Sequence, residues 1–302
     1  MKHNLKITVI LIGMFIITQL IGLFVVSTYI DKTQLPYGME PPDEVKEKPQ
    51  GMQILIAFVF AIALFLLLIK LKAETFIRLW FSVVTVIALG LALNAFFYIL
   101  NIPNARYLAL ALALPLTYFK VFKRNLTVHN LTELLIYPGI AAVFIPLLNV
   151  LWTIIILLVI SLYDIWAVWH SQFMQKLAHY QINNLKFFTG FFIPYANKKQ
   201  KEKIKLLKQK YTNEKQLEKQ LKKSKIKVSL AILGGGDIVF PIITAGIFYK
   251  YYSLSSALII TASATIALLY LFMMARKGKF YPAMPFLTIG MYLGMIVSWI
   301  VF

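Results

Sequence analysis

Cysteine is absent from the 302 residues, which excludes disulfides, thiolate metal sites and cysteine nucleophiles. Acids are scarce, with 12 Asp and Glu against 31 Lys and Arg. Charge of either sign is nearly missing from a series of apolar runs of about 18 residues or more, the length a bilayer requires of a spanning helix. Other chemistries lack their motifs too. The chain holds no HExxH for a zinc protease, no GxSx for a serine site, no Walker A loop and no internal repeat.

What remains is hydrophobic: 60% of the residues are apolar and the mean hydropathy is +0.74. That is more apolar surface than one soluble core can use. The runs predict an all-α polytopic membrane protein of about nine transmembrane helices, at 6–30, 52–69, 76–100, 105–122, 131–149, 150–171, 228–249, 253–274 and 283–302. Breaker chemistry marks the joints, as in Asn101-Ile102-Pro103-Asn104, Lys123-Arg124-Asn125 and Arg276-Lys277-Gly278-Lys279. The fifth and sixth spans meet near Asn149 with almost no loop. The run from Ile7 to Ile30 is longer than a signal-peptide core, and Ser27-Thr28-Tyr29 is a poor cleavage site, so it reads as an uncleaved first helix.

Three parts follow: 1–171 with six spans, a Lys-rich loop at 172–227, flexible or partly helical, and 228–302 with three spans. The net charge of +19 resembles that of a nucleic-acid binder, but 15 Lys lie in the 172–227 loop. Loop charge, not nucleic acid, explains it, and anionic membrane lipid is the partner such a loop would meet. With the N-terminus inside, the inner segments carry 26 Lys and Arg against 5 outside, and 11 against 5 without the long loop. The positive-inside rule therefore places the N-terminus and the 172–227 loop in the cytoplasm and the C-terminus outside, in a multi-pass membrane protein.

Two acids are out of place. Glu133 is expected at the start of the fifth span, within reach of the interface beside Arg124, and the other acids sit in loops or near span ends. Only Asp164 and Asp237 fall well inside apolar runs, with no Lys or Arg expected inside a span to pair with them. An Asp at mid-helix costs about 2.5–3.5 kcal/mol to insert. The reasons to tolerate that cost are a structural hydrogen bond, an ion or proton relay, or catalysis. Depth favours the last. Counted along helices, Asp164 lies about 9 Å and Asp237 about 15 Å from the cytoplasmic ends of the sixth and seventh spans. Two neighbouring carboxyls share a proton, so one can act as base on water while the other acts as acid. Gly234-Gly235-Gly236 before Asp237 and Pro241 after it weaken a helix on both sides of the acid.

Three motifs then line up: Tyr163-Asp164 in the sixth span, Gly234-Gly235-Gly236-Asp237 in the form GxGD in the seventh, and Pro282-Ala283-Met284-Pro285, one residue from PALP, at the start of the ninth. In order and placement the chain resembles the presenilin and signal peptide peptidase family of GxGD intramembrane aspartyl proteases, in a microbial, archaeal presenilin-like form. The resemblance implies a presenilin-like fold, catalytic residues Asp164 and Asp237, and a Pro282-Ala283-Met284 stretch that shapes the site, with Met284 replacing the usual Leu at nearly equal volume. It also implies transmembrane proteins or peptides as substrates and no cofactor or metal. Accessory subunits are not required by the sequence. The alternative from another class is an ion- or proton-coupled transporter using both Asp as a relay. A prepilin-type peptidase shares GxGD but has fewer spans and no PAMP-like stretch.

Lesser signals have ordinary readings. His170 and His179 are expected at the interface. Asn125-Leu126-Thr127 matches a glycosylation pattern on the inner side. Gly290 and Gly294 form a GxxxG suited to close helix packing, which would let the ninth span approach the acid pair.

Overall fold

Hydrocarbon offers backbone N–H and C=O groups no water, so a lipid-exposed chain must satisfy them within helices or closed sheets. The computed structural model describes residues 5–30, 35–39, 51–123, 125–170, 180, 185, 189–195, 229–275 and 280–302. Among them are nine α-helices: α1 (Leu5–Tyr29), α2 (Gly51–Lys70), α3 (Glu74–Ile99), α4 (Ala105–Val121), α5 (Leu126–Phe144), α6 (Val150–Ile165), α7 (Gly236–Tyr251), α8 (Leu254–Met274) and α9 (Met284–Val301). Among the described residues seven helices are long and apolar enough to cross a membrane, α5 being counted on to Leu147 and α6 on to His170. The other two, α4 with 17 residues and α7 with 16, are shorter.

The joints follow local chemistry. Asn149 caps α6 by accepting from the Trp152 N–H at 2.9 Å, after a 3₁₀ turn at Ile145–Leu147. Asn125, the first residue of the glycosylation pattern, caps α5 through the Thr127 N–H at 2.9 Å. The α-helical part of α6 ends one residue after Asp164 and continues as a π turn, Trp166–His170.

The predicted seventh span needs correction. Residues 229–234 are not helical. They form strand β2 (Ser229–Gly234), antiparallel to β1 (Gly190–Tyr195), with Gly190 opposite Gly234. The glycine run is therefore a strand-to-helix junction, and Asp237 stands in the first turn of α7 instead of deep within a helix. Periodicity could not separate a short apolar strand from the first turns of a span. Most of the predicted 172–227 loop, His179 included, lies outside the described residues.

α7 is the hub. It is apolar on all sides, and Ile238 and every residue from Pro241 to Phe248 are buried. It touches α1, α5, α6, α8, α9 and β2. Enclosed by protein and approached by a strand, it does not have to match the thickness of the bilayer. At the other extreme α2 is only 6% buried, against 33–50% for the other six long helices.

The GxxxG of α9 does pack closely, but against α8 instead of toward the acids. A methyl group at Gly290 would stand 2.5 Å from the Ala267 Cβ and 2.9 Å from the Ser263 carbonyl oxygen, and one at Gly294 would stand 2.8 Å from Ser263 Oγ. Gly290→Val is expected to lower stability in detergent by about 1–3 kcal/mol through overpacking. Gly13→Ala, where nothing lies within 4 Å, is expected to keep the thermal midpoint or raise it slightly, alanine being the better helix former, and unfolding scans of the two variants check this.

Candidate active site

Asp164 is buried at the end of α6. Its Oδ2 accepts from the backbone N–H of Met284 at 3.0 Å. Met284 is the first residue of α9, and a first-turn N–H has no acceptor within its own helix. The Pro282-Ala283-Met284-Pro285 stretch thus contributes main chain. Pro282 and Ala283 lead in, Met284 donates, and Pro285, in the first turn, has no N–H to leave unpaired. Sequence reasoning had no signal for this bond, because any residue except proline supplies the same donor.

The register of α6 on α9 is fixed by further polar contacts down the same seam. Ser161 Oγ donates to Thr288 Oγ1 at 2.7 Å, and the Tyr292 hydroxyl donates to the Ile154 carbonyl at 2.6 Å. Residues 284, 288 and 292 lie one turn apart on one face of α9. Met284 therefore meets Asp164 as one rung of a ladder.

Asp237 reaches the same place from the other side. It is partly buried, with Ile238 behind it fully buried. Gln19 of α1 donates to the Ile238 carbonyl at 3.0 Å, and Pro241 removes the N–H that would have bonded the Asp237 carbonyl. Gly234 turns its backbone toward the acid; a methyl group there would stand 3.1 Å from Asp237 Oδ2. Gly235 is pressed by Tyr137 of α5, whose hydroxyl would be 2.8 Å from a methyl group. Gly236 is exposed. Asp164 and Asp237 are within electrostatic range of each other. Tyr163, next to Asp164, is partly buried and faces Trp166 with ring centroids 6.3 Å apart.

An apolar cavity of about 300 Å³ opens beside Gly236. Its walls are Ile54 and Phe58 of α2, Ile140 and Phe144 of α5, Ile156 and Leu157 of α6, and Val239, Phe240 and Ile243 of α7. Such a space admits an apolar segment as far as the start of α7.

Residues 12–302 match the family described as signal-peptide peptidase, presenilin aspartyl protease. The chain belongs to that family. Two solved structures of a presenilin family intramembrane aspartate protease, in C222 and P2 space groups, share the fold. The first has a TM-score of 0.62 at 17% identity and covers 98% of this chain and 99% of its own. The second has a TM-score of 0.60 at 18% identity and covers 97% of each. No curated protein matches. For a presenilin-family chain the transporter reading has no support.

Two expectations about charge fail in this family member. Glu133 does not reach the interface. It is 1% exposed and ion-paired with Lys120, itself buried on α4, so a span does contain a cation. Its position near the end of an apolar run made Lys120 resemble loop charge. His129 also escaped notice; a lone histidine carries no spacing signal.

The Ser161–Thr288 contact can be measured. Ser161→Ala, Thr288→Val and the double variant are expected to give a coupling energy of about 0.6–1.7 kcal/mol, the range of interhelical hydrogen bonds in membranes. Unfolding of the four proteins in one detergent supplies the cycle.

Proposed function

We propose that this chain is an endopeptidase that hydrolyses peptide bonds within the transmembrane segments of other proteins, with Asp164 and Asp237 as its catalytic pair. One observation carries the reading. The acids of the Tyr-Asp and GxGD motifs stand at the end of α6 and in the first turn of α7, two helices in contact, and the third motif holds one of them by its main chain. Membership of an aspartyl protease family supplies the reaction class.

The chemistry needs one proton shared between the two carboxyls. The ionised member takes a proton from water as its oxygen attacks the scissile carbonyl carbon, and the protonated member gives its proton to the carbonyl oxygen. The gem-diol collapses, the C–N bond breaks, and the amine nitrogen leaves with a proton returned by the pair. The Met284 N–H on Oδ2 holds the Asp164 carboxyl in place for this exchange.

A helical substrate hides its carbonyls, so the cleaved stretch must unwind. The two-stranded sheet ends beside Asp237, and its edge suits the addition of an extended strand. The cavity beside Gly236 would take the remaining apolar turns, and its α2 wall belongs to the least buried of the seven long helices. On the charge count we assign the N-terminus and the 172–227 loop to the cytoplasm and the C-terminus to the outside, and on the resemblance to a microbial presenilin-like form we assign the protein to a prokaryotic plasma membrane. The Pro282, Ala283, Met284 and Pro285 segment acts by shaping the site, and Gly234, Gly235 and Gly236 by letting backbone approach. Tyr163 borders the site beside Asp164.

The test is cleavage of a reporter transmembrane segment by purified protein in detergent. Asp164→Asn and Asp237→Asn are each expected to lower kcat by about 10²–10⁴-fold without changing the thermal midpoint. Retained cleavage by both variants would overturn the assignment. Ile54→Trp, which adds bulk to the cavity from α2, is expected to raise KM several-fold with kcat little changed. Steady-state kinetics on the same reporter separate the two.

A further inference from the structure

His129, Glu133 and Tyr137 recur at four-residue intervals on α5, so they share one face. The row faces the catalytic strand-to-helix junction. Tyr137 packs on Gly235, with its hydroxyl buried. At the other end, His129 makes two contacts that fix its tautomer. Lys120 Nζ lies 3.2 Å from Nδ1, and the Gly190 carbonyl oxygen lies 2.8 Å from Nε2. An ammonium has only protons to give and a carbonyl has only lone pairs, so Nδ1 accepts and Nε2 donates. Lys120 is held in turn by Glu133.

Gly190 is the first residue of β1 and stands opposite Gly234, the first residue of the GxGD motif. The next residue of α5, Asn130, fastens the same strand. It donates to the Phe192 carbonyl at 2.8 Å and accepts the Phe192 N–H at 3.0 Å. The Phe192 ring also lies 5.3 Å from the His129 ring. A continuous path of contacts thus runs from a buried ion pair to the backbone that presents Asp237.

We propose that His129 is a positioning residue for Asp237. Oriented by the Lys120–Glu133 pair, it holds the Gly190 carbonyl and, through the Gly190–Gly234 pairing, sets where the GxGD backbone leaves the strand. The inference rests on the aspartyl protease reading for its effect on rate, but not for its effect on the strand.

Two conservative variants divide the two hydrogen bonds. His129→Gln places an amide N–H near the position of Nε2 and keeps the donor to Gly190. His129→Asn places an oxygen near Nδ1, keeps the acceptor for Lys120, and is too short to reach Gly190. His129→Asn is expected to lower kcat about tenfold or more with KM within about twofold, while His129→Gln stays within about threefold of the wild type. Amide hydrogen exchange in peptides covering 190–195 and 229–237 is expected to quicken in the Asn variant and not in the Gln variant. Equal kcat in the two variants, a loss confined to KM, or equal exchange would overturn the proposal. If the wild type cleaves no reporter, the proposed function fails, and the exchange contrast alone decides whether His129 holds the strand. If the Asn variant does not fold, K120M/E133L removes the orienting pair without stranding a charge. It carries the same expected loss of kcat and quickened exchange, and unchanged values would overturn the proposal.

Discussion

A carboxyl buried among lipid-facing helices must find donors inside the protein, and helix amino ends are where spare donors lie. Asp164 is bound by the first N–H of α9, and Asp237 occupies the first turn of α7. Much of the remaining structure serves this requirement. The ladder of Ser161, Thr288 and Tyr292 sets the height of α9 on α6. Gln19 ties the start of α7 to α1. Gly290 and Gly294 bring α8 against α9 from behind. Each contact is modest by itself, and together they leave the two acids little freedom of height or rotation.

The helices were legible in the sequence, because a 20-residue apolar stretch admits few alternatives in a bilayer. Asp164, Asp237 and the PAMP stretch could be singled out because charge and proline are conspicuous against such a background. Two kinds of information were hidden. The first was the switch from strand to helix at Gly234-Gly235-Gly236: Ser229–Gly234 is short and apolar, and only its pairing with Gly190–Tyr195 shows that it is extended. The second was which polar side chains near span ends turn inward. Lys120 and Glu133 look like interface residues in sequence. They are buried because α4 and α5 bring them together.

A buried ion pair is a poor source of stability. Its desolvation roughly offsets its attraction, and an apolar replacement often does as well. What Lys120 and Glu133 supply is direction. An apolar pair in their place could pack, but it could not tell His129 which nitrogen should carry the proton. The same holds for Asn130, whose amide matches both polar groups of Phe192 as another strand would. On this face of α5 polar side chains work as fasteners for main chain.

The strand leading to Asp237 also limits how the family member can vary. Along β2, Ala231 and Leu233 are buried while Ile232 between them is 37% exposed. A helix tolerates a one-residue insertion by rotating about 100°, whereas a strand answers by turning its side chains over to the opposite face. Length changes within Ser229–Gly234 are therefore quantised: an added or lost pair of residues preserves the inward face, and a single one inverts it. The strand behaves as a ruler graduated in twos, with Asp237 just beyond its last mark.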